Sequence, residues 1–205
     1  AISLPSIMKR KGTTRKSVES SQGSANKIKH HGIKHMSDVI IGIDPDIERD
    51  GVAILRPATR SISVQATPFG KTLSLLQTAS INAMASGESL TVIIEAGWVH
   101  KSNFHLRLSD SKPVIARKGV DQGRNHQRGI DIAEYCKYNN IPYRLQAPLR
   151  KIWKGHDRKI TQAEIESFVG RLRTTGKGGR TAMPNQEMRD AALLAWTAAN
   201  LPIRL

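Results

Sequence analysis

This chain is short of cysteine, of acid and of long apolar runs, and each shortage excludes something. One cysteine, Cys136, among 205 residues rules out a disulfide framework and any zinc site built on several thiolates, and it points to a reducing compartment. No apolar run approaches the roughly 20 residues that a membrane-crossing helix needs. The best amphipathic stretches carry Glu and Asp as well, which also disfavours a membrane surface as the partner. The first apolar residues, within 1–8, are followed by Lys9-Arg10-Lys11 and not by the hydrophobic stretch of a secretory signal. A cytoplasmic location is therefore expected, in the nucleoid or the interior of a phage-infected host cell. The Gly-rich stretch Gly176-Lys177-Gly178-Gly179-Arg180 lacks the Gly-Lys-Ser/Thr ending of a nucleotide-binding loop and reads as a phosphate contact at most.

The shortage of acid is the most telling. Lys and Arg number 32 against 17 Asp and Glu, a net charge of +15, which suits a polyanionic partner, nucleic acid first. The excess is uneven. Residues 1–35 hold eight Lys or Arg and one acid with no periodic apolar pattern, and read as a flexible basic arm or as an extension foreign to the fold. From Met36 onward 24 basic and 16 acidic side chains leave +8, so the folded part is itself basic. The histidines His30, His31 and His35 have no second motif that completes a metal geometry.

Beyond Asp38 the pattern becomes that of one α/β domain of ordinary size. Val39-Ile40-Ile41-Gly42-Ile43 is a continuous β-branched run ending at Asp44-Pro45 and reads as a buried strand. Residues 51–55 and 61–65 follow at hairpin distance and complete a three-stranded meander. Residues 70–86 carry an amphipathic helix stopped by Gly87, and 91–95 is a second buried strand. A basic loop over 97–122, a helix over 124–139, a strand over 141–145 and a helix over 161–173 follow. That last helix opens on a capping box of Thr161 and Glu164. A basic loop over 174–184 and a final helix over 185–199, capped by Asn185, end the chain. A meander first and alternation of helix and strand after it describe a mixed sheet with helices packed on it.

Four acids interrupt this pattern. Asp44 ends the first buried strand and Glu95 the strand at 91–95, each preceded by core-forming residues. Asp190 breaks the apolar face of the last helix, and Glu187 lies three residues earlier on the same side. Each has a plain explanation: a turn former for Asp44, an ion pair with an arginine for Glu95, stabilisation of a helix N-terminus for Glu187 and Asp190. Jointly they form a set of hard oxygen donors, which attracts Mg²⁺ or Mn²⁺. Two such ions suit phosphodiester hydrolysis, and a basic surface around them suits the substrate backbone.

The motifs Ile41-Gly42-Ile43-Asp44-Pro45, Val92-Ile93-Ile94-Glu95, Gly123-Arg124-Asn125-His126-Gln127-Arg128-Gly129 and Glu187-Met188-Arg189-Asp190-Ala191-Ala192-Leu193-Leu194-Ala195 resemble the RuvC-type Holliday junction resolvases over residues 38–199. The resemblance implies an RNase H-like fold, a mixed five-stranded sheet with helices on both faces. It implies metal ligation by Asp44, Glu95 and Asp190, with Glu187 at the position three before the last Asp, where the family has an acid or His. It further implies a homodimer cutting four-way DNA junctions in recombination and repair. The chain departs from the family by Asp46 where Gly is usual after Asp-Pro, and by its long basic loop after Trp98. Candidate nucleic-acid contacts are Lys101, Arg107, Lys112, Arg117, Lys118, Arg124, Arg128, Lys154, Arg158, Lys177 and Arg180. Trp153 stands beside Lys154, His156, Arg158 and Lys159 as a stacking platform or a core residue, and His100 and His105 are loop residues able to orient water or touch nucleic acid. Two other readings stay open: a nuclease of RNA–DNA hybrids with the same chemistry, and a basic binding module whose acids are structural.

Overall fold

The computed structural model describes residues 37–99, 109–175 and 179–203. The chain divides into two units, residues 1–34 and 35–205, and every described residue lies in the second. The basic arm, the histidines at 30, 31, 35, 100 and 105, and three of the candidate contacts, Lys101, Arg107 and Lys177, fall outside the described residues.

The meander is β1 (Val39–Asp44), β2 (Asp50–Arg56) and β3 (Ser61–Thr67), followed by α1 (Phe69–Ser86) and β4 (Leu90–Glu95). A single 3-10 turn (Gly97–Val99) leads towards α2 (Lys112–Tyr138), then β5 (Tyr143–Gln146) and α3 (Gln162–Val169). The two-residue strands β6 (Thr174–Thr175) and β7 (Thr181–Ala182) precede α4 (Gln186–Ala198). The main sheet runs β3-β2-β1-β4-β5. Its first two pairings are antiparallel and its last two, β1–β4 and β4–β5, are parallel. The order of elements predicts a mixed sheet with helices packed on it, and the structure has one, with the five strands that the resemblance implied.

Both faces of the sheet are covered, which is why β1 and β4 are apolar without alternation. Ile40, Ala53, Leu55 and Ile93 face α4 and α3, packing with Ala191, Leu194, Trp196 and Ile165. Val39, Ile41, Ile43, Val92 and Ile94 face α1 and α2, packing with Leu76, Ile132 and Cys136. Since successive strand residues point to opposite faces, Asp44 falls on the side of Ile40, and Glu95 on the side of Ile93. Both therefore end their strands under α4.

Three expectations are corrected. Helix α2 starts at Lys112, twelve residues before Arg124, so much of the presumed basic loop is helical. Ser111 at the N-cap position and Pro113 in the first turn start it, and the interior glycines Gly119 and Gly123 disguise it in the sequence. Helix α3 ends at Val169 because Gly170, at φ 79°, leaves the helical region. The loop over 174–184 contains the small β6–β7 ladder. The two predicted caps are present: the Thr161–Glu164 box closes reciprocally, and Asn185 accepts from the Met188 amide at 3.0 Å.

Candidate metal centre and nucleic-acid cleft

Asp44 and Glu95 stand side by side because β1 and β4 are parallel and Ile43 is in register with Ile94. Helix α4 comes down on them through two glycines. A Cβ on Gly42 would lie 2.3 Å from the Ala191 carbonyl oxygen, and one on Gly51 would lie 2.1 Å from that of Glu187. Only residues without a side chain permit this approach, and it delivers the i, i+3 pair Glu187 and Asp190 to the strand ends. All four acids predicted from the sequence line one cavity of about 1180 Å³.

The electrostatics of the set are those of crowded like charges. Burial raises the Asp44 carboxyl well above the usual range, and Glu95, Asp190 and Glu187 push it further, against the pull of Lys159. Glu95 is raised to about 7 by burial and by Asp190, with Lys151 and Lys159 opposing. Asp190 is raised by burial, while a 2.8 Å hydrogen bond from Gln186 and the charges of Lys159, Lys151 and Arg189 favour its ionised form. Carboxylate oxygens are the donor type that hard divalent cations prefer, and a cation among them would cancel the repulsion. As the chain stands, no group of three or more His, Cys, Asp or Glu side chains among the described residues is gathered closely enough to hold a metal ion.

Cations rim the same cavity: Lys118 from α2, and Arg150, Lys151, Arg158 and Lys159 from the segment between β5 and α3. Of these, Lys118 and Arg158 were predicted contacts, and Lys159 was noted in the basic patch. Arg150 and Lys151 were missed, and nothing in their local sequence separates them from other surface cations. The segment is pinned from behind. Glu164 of the capping box also accepts the Lys154 amide at 3.0 Å, and Trp153 stacks on Phe168 with ring centroids 6.2 Å apart, next to Trp196. Trp153 thus has one side in the core and also lines the cavity.

Lys118 pairs with Asp110 at 2.7 Å while lining the cavity. The other predicted contacts lie elsewhere. Arg117 pairs with Asp121 one turn on. Lys112, Arg124, Lys154 and Arg180 are exposed and do not line the cavity. Arg128 is half-buried, donates to the Ile47 carbonyl at 2.8 Å and lies 4.4 Å over the Phe69 ring, so its guanidinium is engaged by the protein. Asp46, Asn125 and His126 also line the cavity. Burial lowers the His126 imidazole, which favours its neutral form.

The described residues define an α/β domain with a mixed five-stranded sheet, in which the four acids and five cations line one cavity. No protein-family model matches the sequence, and no curated protein matches it. Among solved structures, T. thermophilus RuvC in complex with Holliday junction substrate aligns with 80% of this chain and 92% of that one, at 15% identity and a TM-score of 0.39. A likeness at that level carries no argument about activity. Among the described residues no helix is long and apolar enough to cross a membrane.

Proposed function

We propose that this protein is a metal-dependent endonuclease that resolves four-way DNA junctions by symmetric phosphodiester hydrolysis, acting as a homodimer. The observation that carries the nuclease reading is the convergence of four carboxylates from three elements, β1, β4 and α4, on one cavity rimmed by five cations. The junction and the dimer rest on the sequence motifs around Asp44, Glu95 and Asp190.

Asp44, Glu95 and Asp190 would hold Mg²⁺ or Mn²⁺, with Glu187 as a fourth ligand or as the group that orients a water. Two such ions would supply Lewis acidity and an activated water for attack at phosphorus. Lys159 and Lys151 face both the carboxylates and the cleft, so they favour the ionised acids and neutralise the phosphate brought beside them. Arg150 and Arg158 hold the flanking backbone, and Trp153 offers an apolar ring to an unpaired base.

The test incubates the purified protein with a synthetic four-way junction, a linear duplex and an RNA–DNA hybrid in Mg²⁺. Paired symmetric nicks confined to the junction are expected. Asp44→Asn and Glu95→Gln should each lose more than about 100-fold in rate, since losing even a residue behind a metal ligand costs 10–100-fold. Cutting of the hybrid alone would replace the junction as substrate, a wild type that cuts nothing would leave the binding-module reading, and cutting undiminished with both acids removed would take the chemistry away from the carboxylates.

A further inference from the structure

The turn after Asp44 is held by α2 in a way that metal ligation and cleft charge leave unexplained. Asp44 is the last ladder residue of β1, paired with Gly51, and residues 45–49 make no strand pairing. Instead, α2 takes both backbone polar groups of Ile47: Asn125 Oδ1 accepts its N–H at 2.9 Å, and an Arg128 Nη2 donates to its carbonyl at 2.8 Å. Asn125 Nδ2 also donates to Asp46 at 3.4 Å. The same turn of α2 presents Gly129, where a Cβ would lie 3.2 Å from the Pro45 ring. At the far end of the turn, Asp50 is fully buried, accepts the Thr72 hydroxyl at 2.6 Å and the Asp46 amide at 3.3 Å, and has Arg128 as its favourable charge.

Arg128 therefore has three partners inside the protein: the Phe69 face, the Ile47 carbonyl and the Asp50 charge. We propose that Asn125 and Arg128 are positioning residues that clamp the Asp44–Asp50 turn through Ile47 and so aim Asp44 into the cavity, and that Arg128 is not a nucleic-acid contact. The proposal rests on the reading of Asp44 as a metal ligand. Its physical basis is that a ligand at the open end of a strand is only as well placed as the turn behind it, and displacement by about 1 Å can cost on the order of 100-fold in rate. The clamp also makes α2, whose first half is largely exposed, the element on which the geometry of Asp44 depends.

The experiment compares wild type with Asn125→Ala, Arg128→Ala and Arg128→Lys. It follows backbone amide exchange over Asp46–Asp50, Mn²⁺ affinity by calorimetry without DNA, and metal-free DNA affinity as a function of salt. In both alanine variants, amide exchange over the turn is expected to accelerate while β1 and β4 stay protected. Mn²⁺ affinity should fall about 10–100-fold, and DNA affinity and its salt slope should stay at the wild-type values. Arg128→Lys should recover part of the Mn²⁺ affinity, because it can donate to Ile47 but cannot present a planar fork over Phe69. Asn125→Ala leaves the buried charge balance intact and serves should Arg128→Ala fail to fold.

Unchanged exchange, or faster exchange with Mn²⁺ affinity intact, overturns the proposal, as does a wild type without measurable Mn²⁺ affinity. A fall in DNA affinity with the salt slope reduced by about 0.9 makes Arg128 a phosphate contact instead. A wild type that binds Mn²⁺, cuts no DNA, and loses the ion in the clamp variants sinks the nuclease reading and leaves the clamp standing. Wild-type cleavage and Mn²⁺ affinity kept by all three variants does the reverse.

Discussion

At the scale of single residues, the acids are placed where charge is costly, and the cost depends on pH. Glu95 titrates at about 7 in the folded chain, against an ordinary 4.5, so the folded state takes up a proton that the unfolded state releases. The contribution of Glu95 to stability without metal is then fully present below about pH 4.5 and is lost as the pH rises through about 7. Melting temperatures of the metal-free protein should decline across that window, and Glu95→Gln should flatten the decline; a rise, or an equal decline in the variant, refutes the assignment. Mg²⁺ should raise the melting temperature most at the alkaline end, where the carboxylates are ionised and able to bind. Lys159 acts on the same groups in the opposite sense, favouring the ionised forms of Asp44, Glu95 and Asp190. Lys159→Ala should accordingly move the acidic limb of the Mg²⁺-dependent rate to higher pH, and an unmoved limb would remove Lys159 from the centre. The four acids were legible in the sequence because each broke an apolar pattern. Lys151, Arg150 and Asn125 were not, because a cation or an amide on a polar stretch breaks nothing.

Among the elements, the contact between α4 and the sheet decides the site. Gly42→Ala puts a methyl 2.3 Å from the Ala191 carbonyl, which the backbones can relieve only by separating. The expected cost is about 1–3 kcal/mol, read as a drop of about 2–4 °C in melting temperature per kcal/mol. Cleavage should fall by more than the loss of folded protein explains, because the separation carries Glu187 and Asp190 away from Asp44. A melting temperature equal to wild type would mean that α4 does not sit this closely. Thr161→Ala tests the other wall: losing the cap should cost roughly 1 kcal/mol. It should also loosen the Lys151–Lys159 segment, since Glu164 holds both the cap and the Lys154 amide. Most elements could be read from periodicity because burial on both faces writes continuous apolar runs into β1 and β4. The start of α2 could not. Of its 27 residues only Gly129, Ile132, Ala133 and Cys136 are buried, so its first half leaves no apolar stripe and its glycines imitate a loop.

For the whole molecule, the question is which part of the positive charge serves the cleft. The net +15 guarantees attraction to nucleic acid but does not place it, since a uniform excess of cations binds a backbone without register. The cavity supplies the register if its rim cations take up phosphates that the surface cations do not. Lys151 and Arg158 line the cavity, whereas Arg117 is exposed and paired with Asp121 on α2. Replacing Lys151 and Arg158 together by Ala should lower the slope of log affinity against log salt by roughly two phosphates' worth, about 1.8. Cleavage of a bound junction should also fall, because both residues line the cavity that holds the four acids. Arg117→Ala removes one of the same charges and should change the slope little. A slope loss for Arg117→Ala about half that of the double variant would mean that DNA reads only the net charge, and the acidic cavity would then have no privileged claim on the backbone that it is proposed to cut.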